Sequence, residues 1–251
     1  MDRLKQLKNQ YCQDLHQKDK QLFFLVALPR SGNTLFASII NQNPNVVCTA
    51  NSVTLEIIKN LHLLKQTDVF KNYPDYKSLD NVLDLVYDNY YKNWPQQYII
   101  DRGPVMTTGN FELIQKHYKR PFKCIVLVRD LMEVLASYIK WFENEPTAFP
   151  NRYANTIEDK LSLIMNSKGA VAKHLNAIKN AYNYPDICHF IKYNNLVINP
   201  KQCIQEVYKF LNIPYFEHKF TNLQQINING IPYNDTIVGN NMHKIKTEIK
   251  K

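Results

Sequence analysis

At 251 residues, 45 % hydrophobic and 12 % aromatic, the chain holds enough apolar material for one α/β domain with a sizeable core and argues against disorder or a second domain. Its 31 Lys and Arg against 22 Asp and Glu leave a formal charge of +9, which favours anionic ligands without choosing among them. Five cysteines, an odd number with no CxxC pair and no paired-His zinc spacing, exclude a disulfide scaffold and leave no expected metal site.

Residues 1–20 are polar, with Leu4, Leu7, Tyr11 and Leu15 at helical spacing, and read as an amphipathic lead-in. They contain no apolar signal core, and no apolar run approaches the roughly 20 residues that span a bilayer. A soluble, cytoplasmic protein is therefore expected. Leu22 to Ala27 reads as a short buried strand and Thr34 opens a helical pattern, with the tight turn Leu28-Pro29-Arg30-Ser31-Gly32-Asn33 between them. A strand entering a helix through small residues aims backbone N–H groups and the positive end of the helix dipole at one point, a seat for phosphate. In the register of GxxxxGK[ST] only Gly32 and Thr34 fit; Asn33 stands where the lysine that clamps a nucleoside triphosphate would be. What remains is a phosphate cradle with a cation, Arg30, in the middle of the turn.

Val46 to Cys48 reads as a second strand, and Ser52 to Leu64 and Ser78 to Tyr91 as helices joined through a loop around Pro74. Gln97 to Ile100 reads as a third strand ending at Asp101-Arg102-Gly103-Pro104. Polar residues at the carboxyl end of a parallel strand lie where ligands gather in open α/β sheets. Phe111 to Tyr118 follows as a helix, and Lys123 to Val128 as a fourth strand. Next come Arg129, Asp130 as a helix cap, and a helix that places Ser137 two turns in, so that Arg129 and Ser137 can flank one anion. Residues 143–155, with two prolines and no periodicity, read as a loop and candidate lid. Thr156 to Asn180 is a helical region with an interruption at Gly169; Asp186 to Lys192 is a fifth strand, followed by Tyr193-Asn194-Asn195-Leu196 and a helix from Lys201 to Leu211. Strands separated by helical patterns predict a central, mostly parallel sheet of about five strands in a P-loop-like three-layer α/β/α domain. Tyr193 reads equally as a nucleotide contact and as a core residue, and the basic tail 233–251 equally as a closing turn and as a frayed terminus.

Two of these stretches carry a family resemblance. PRSGNTL closely resembles the PRSGTTL loop of sulfotransferases that use 3′-phosphoadenosine 5′-phosphosulfate (PAPS), and CIVLVRD with Ser137 resembles their LVRDP strand and following helix. KYNNL and FLNI are similar to the family's RYEDL-like and FLGI segments, with Asn194 and Asn195 replacing the acidic pair. Met242 to Lys246 is similar to a Leu-His-x-Ile-Arg segment of a bacterial branch. The resemblance runs in order from residue 22 to 246. It implies a single sulfotransferase-like domain over residues 1–251, with Arg30, Ser31, Gly32, Asn33 and Thr34 at the 5′-phosphosulfate. It implies Arg129 and Ser137 at the 3′-phosphate, and Tyr193, His243, Lys244 and Lys246 closing around the nucleotide.

The activity implied is transfer of a sulfuryl group from PAPS, leaving adenosine 3′,5′-bisphosphate, to a hydroxyl or amine of a small-molecule, carbohydrate or peptide acceptor, with no metal. Arg30 is a catalytic candidate for its charge on the leaving phosphate, and Arg102 matches a basic position that the family uses near the transferred group. The tyrosylprotein branch takes its base from an acidic pair after a Cys-Gly, whereas here the segment is Cys48-Thr49-Ala50-Asn51-Ser52. Glu56, one helical turn past Ser52, is the first substitute and Asp101 the second. The alternatives are a non-catalytic protein binding a nucleotide or sulfated ligand on the same fold and, with the lysine missing, a P-loop kinase. No recognition helix or RNA-binding aromatic motif points to nucleic acid.

Overall fold

In the computed structural model the described residues are 20–224, 227–232, 234, 236 and 239. Five strands form one sheet: β1 (Gln21–Ala27), β2 (Val46–Cys48), β3 (Tyr98–Arg102), β4 (Cys124–Val128) and β5 (Cys188–Lys192). Their order is β2-β3-β1-β4-β5, and every pairing is parallel. β1 is central because its residues are apolar on both faces, with Phe24, Leu25 and Val26 wholly buried.

The helices are α1 (Asn33–Ile40), α2 (Val53–Leu63), α3 (Asp68–Asn72), α4 (Tyr76–Asp84), α5 (Val86–Tyr91) and α6 (Thr108–His117). They continue with α7 (Leu131–Asn144), α8 (Ile157–Met165), α9 (Ala170–Ala181), α10 (Tyr193–Ile198) and α11 (Pro200–Leu211). Alternate residues of β1 serve two cores. Leu22, Phe24 and Val26 pack with residues of α2 and α4 to α9, while Phe23, Leu25 and Ala27 pack with α1 and α11. The result is three layers, helix, sheet and helix, with the carboxyl ends of all strands on one edge.

Two helical expectations resolve differently. The segment from Ser78 to Tyr91 is two helices, divided at Leu85, whose N–H reaches the Val82 carbonyl at 3.2 Å. The break re-aims the chain: Val82 and Leu85 stay exposed, while Val86, Tyr87 and Tyr91 beyond it turn inward. The interruption at Gly169 is a true helix boundary, since a Cβ there would stand 2.3 Å from the Ile164 carbonyl oxygen. The 143–155 stretch begins with the last residues of α7 and includes a 3₁₀ turn, Phe149–Arg152. Asn151 Nδ2 fastens it by donating to the carbonyls of Phe142 and Glu145 at 2.8 and 2.9 Å. Among the described residues no helix is long and apolar enough to cross a membrane.

Candidate active site

The turn between β1 and α1 takes its shape from two left-handed residues, Arg30 at φ 68° and Gly32 at φ 89°. Ser31 N–H closes it on the Leu28 carbonyl at 3.2 Å, and Asn33 Nδ2 donates to the same oxygen at 3.2 Å. Gly32 occupies the N-cap of α1, with no side chain capping the helix, so the first-turn N–H groups lack intrahelical partners. Glycine is required there twice over. Its φ is one that L side chains resist, and a Cβ would lie 2.8 Å from Tyr193 Cδ2.

Around this turn the fold gathers residues far apart in sequence. Arg30 Nε donates to Ser137 Oγ at 3.1 Å. Arg129 Nη1 donates to the Arg30 carbonyl at 2.7 Å, its Nε donates to Glu133 Oε2 at 3.0 Å, and its guanidinium carbon lies 4.2 Å from the Tyr193 ring centroid. Asp130 caps α7 as expected, its Oδ1 accepting from the Met132 and Glu133 N–H groups at 2.9 and 3.2 Å. The cradle thus holds Arg30, Gly32, Arg129, Ser137 and Tyr193 in one contiguous group.

Its electrostatics point to an anion. Burial is the main influence lowering the Arg30 pKa; Tyr138 opposes it, Arg129 adds like-charge repulsion, and Tyr193 opposes again. Arginine stays charged in proteins, so two guanidinium groups are held close enough to repel, a cost that a bound phosphate would reverse. Ser31 Oγ and Asn33 Oδ1, both in the turn, are buried with no hydrogen-bond partner among the described residues. A hydroxyl so placed can donate to an anionic oxygen. The donor set, N–H groups at a helix start, a buried unpartnered hydroxyl and two arginines, suits an anionic ligand.

The two carboxylates read from the sequence have other partners. Asp101 lies within β3, fully buried, and accepts from Thr49 Oγ1 at 3.1 Å, Ser52 Oγ at 2.6 Å and Thr54 Oγ1 at 2.5 Å. Burial raises its pKa, while those hydroxyls and Tyr91 pull it down. Glu56, its side chain 60 % exposed, pairs with Lys59 at 2.8 Å on the outside of α2. Arg102, the last residue of β3, is half-buried, and its N–H donates to Thr49 Oγ1 at 2.9 Å. Thr34 is half-buried in the first turn of α1. His243, Lys244 and Lys246 lie outside the described residues. The sequence offers the aromatic residues of the 138 to 153 segment as core or as the lining of an acceptor cleft; Tyr138 is buried, and its place by Arg30 and the hydroxyl cluster on Asp101 were not foreseen. Thr49, Ser52 and Thr54 within six residues, following a strand that pairs with the one carrying Asp101, were the available signal.

A parallel α/β sheet with helix-start N–H groups and two arginines gathered at its carboxyl edge is the α/β arrangement in which ligands sit beyond the strand ends. The sulfotransferase domain family matches residues 20–242, and the chain belongs to it. A Caenorhabditis briggsae protein named "Putative protein-tyrosine sulfotransferase" is 25 % identical over 205 residues, covering 78 % of this chain and 67 % of that one. Among solved structures, the sulfotransferase from Alicyclobacillus acidocaldarius aligns with a TM-score of 0.52 at 12 % identity, covering 80 % of this chain and 84 % of its own. The sulfotransferase domain from the Synechococcus PCC 7002 olefin synthase aligns at 0.51 and 14 % identity, covering 80 % and 77 %. These likenesses establish the fold, and the family match establishes a sulfotransferase enzyme.

Proposed function

We propose that the enzyme takes its sulfuryl group from 3′-phosphoadenosine 5′-phosphosulfate and passes it to a hydroxyl or amine of a small-molecule, carbohydrate or peptide acceptor. The observation that carries this reading is the convergence of Arg30, Arg129, Ser137 and Tyr193 on the Gly32 turn. The bound nucleotide supplies an activated sulfuryl group on its 5′-phosphate.

The chain's own residues do the rest. The N–H groups of Ser31 to Thr34 and the Thr34 hydroxyl hold the 5′-phosphate, and Arg30 balances the negative charge that grows on it. Arg129 and Ser137 hold the 3′-phosphate, with Arg129 kept in plane by the Tyr193 ring. Arg102, at the tip of β3, faces the transferred group. Asp101 fixes the segment from Thr49 to Thr54 to that tip through its hydroxyls and so acts as a positioning residue. A phenolic hydroxyl is the first acceptor to try, in keeping with the name of the nematode relative.

The experiment is a calorimetric titration with adenosine 3′,5′-bisphosphate, without metal, beside ATP and the Arg129→Ala variant. Micromolar binding of the bisphosphate that weakens in the variant, with little ATP binding, supports the reading. No binding, or preference for Mg-ATP, removes it.

A further inference from the structure

With Asp101 enclosed by hydroxyls and Glu56 in a solvent ion pair, the proton of the acceptor needs another destination. His174 lies at the second turn of α9, on the stripe it shares with Val171, Ile178 and Ala181, all buried. A core-facing stripe is ordinarily apolar along its length, so a half-buried histidine on it is a departure. Its Nδ1 lies 2.7 Å from the Ala170 carbonyl oxygen. A carbonyl only accepts, so Nδ1 carries the proton and Nε2 presents a lone pair. Nε2 has no hydrogen-bond partner among the described residues, and it is not sealed in the core.

The helix is well placed for the site. α9 packs over β1 and β4, the strands that deliver the Arg30 turn and Arg129, and Asn180 Nδ2 fastens it to the loop after β3 by donating to the Met106 carbonyl at 2.8 Å. Because α9 leads into β5, which is parallel to β4, the helix runs back against the sheet and its first two turns, with His174, lie toward the carboxyl edge where Arg102 ends β3. Among the described residues, the charges that act on His174 are those of Arg102 from β3 and Lys173 from its own helix. Burial chiefly lowers its pKa, the Ala170 carbonyl opposes, and the two cations lower it further, which keeps the ring neutral near pH 7.

We propose that His174 is the general base of the transfer, receiving the acceptor's proton on Nε2. The inference rests on the sulfuryl-transfer reading above. In the step, the acceptor oxygen forms a bond to sulfur, and the bond from sulfur to the 5′-phosphate oxygen breaks with its electron pair leaving on that oxygen. The acceptor proton moves to Nε2 and is afterwards lost to solvent.

The test uses the full chain and the His174→Gln and His174→Ala variants. Binding of adenosine 3′,5′-bisphosphate is measured by calorimetry, and conversion of PAPS with N-acetyltyrosine amide, whose hydroxyl keeps its proton across the range, is followed from pH 5 to 9. Nitrogen-15 NMR reads the tautomer of His174. Bisphosphate affinity should hold within about threefold while turnover falls about 100-fold or more. The acidic limb of the pH profile should disappear in His174→Gln, added imidazole should restore turnover to His174→Ala, and the wild-type ring should be neutral at pH 7 with its proton on Nδ1. Unchanged turnover and pH profile in His174→Gln, or a ring that is protonated or carries its proton on Nε2 at pH 7, overturns the assignment. Failure of the wild type to bind the bisphosphate would instead remove the cofactor reading, and the NMR result judges His174 separately.

Discussion

Arg30 Nε donates to Ser137 Oγ at 3.1 Å, joining the turn after β1 to the second turn of α7 across 107 residues of sequence. The contact places a guanidinium, a hydroxyl and the N-terminus of α1 around one point, so the cation is preorganised before any ligand arrives. Arg30→Ala should leave a folded protein, since Ser137 can turn to solvent or its own backbone, and should lower turnover by about 100-fold or more, roughly 3 kcal/mol of transition-state stabilisation. Rates of PAPS conversion beside a thermal melt would check both halves.

Arg129 uses both features of its side chain, a donor to the Arg30 carbonyl and a flat face over Tyr193. Lysine keeps the charge and loses the plane and the fork. Arg129→Lys should weaken binding of adenosine 3′,5′-bisphosphate about tenfold or more, corresponding to the roughly 1.5–3 kcal/mol of a hydrogen bond to a charged group. Calorimetric titration of the variant at fixed ionic strength measures it; an unchanged affinity would show that the charge alone suffices.

Gly32 meets two independent demands, a left-handed φ of 89° and a close approach to Tyr193. Gly32→Ala should therefore cost roughly 1–2 kcal/mol from the backbone alone, with the clash added. Removing the ring in a Gly32→Ala, Tyr193→Ala double variant relieves the second demand and not the first, so part of the midpoint lost in a urea melt should return.

Asp101 links stability to pH. Burial raises its folded-state pKa above the unfolded value near 4, so the stability it contributes is complete below that value and is lost as pH rises through the folded one. Asp101→Asn removes that dependence, and urea melts should show the wild type losing stability relative to the variant from acid toward neutral pH. Asp101→Ala takes away the acceptor shared by three buried hydroxyls and should cost about 3 kcal/mol or more.

Much of this arrangement was legible in the chain. The strands around Leu22 to Ala27 and Lys123 to Val128 are runs of β-favouring apolar residues, and a run that must be buried on both faces can only be central. The turn at Arg30 to Asn33 declared itself by small residues at a strand-to-helix junction, and Gly169 marked its own helix boundary. The split at Leu85 left no such mark, because Leu79, Val82, Leu83 and Val86 keep helical spacing through a point where the chain changes direction to bury Tyr87 and Tyr91. The enclosure of Asp101 was equally hidden, since Thr49, Ser52 and Thr54 become its partners only when β2 pairs with β3.

The sequence by itself determined the order of strands and helices and the local shape of the anion cradle, because periodicity and turn chemistry act over a few residues and need no distant partner. The tertiary structure alone decided which cations, hydroxyls and rings share that cradle. It also decided that Asp101 is enclosed while His174 keeps an open nitrogen. Burial and charge act through space, and the sheet brings β1, β3, β4 and α9 together in an order that their spacing along the chain does not carry.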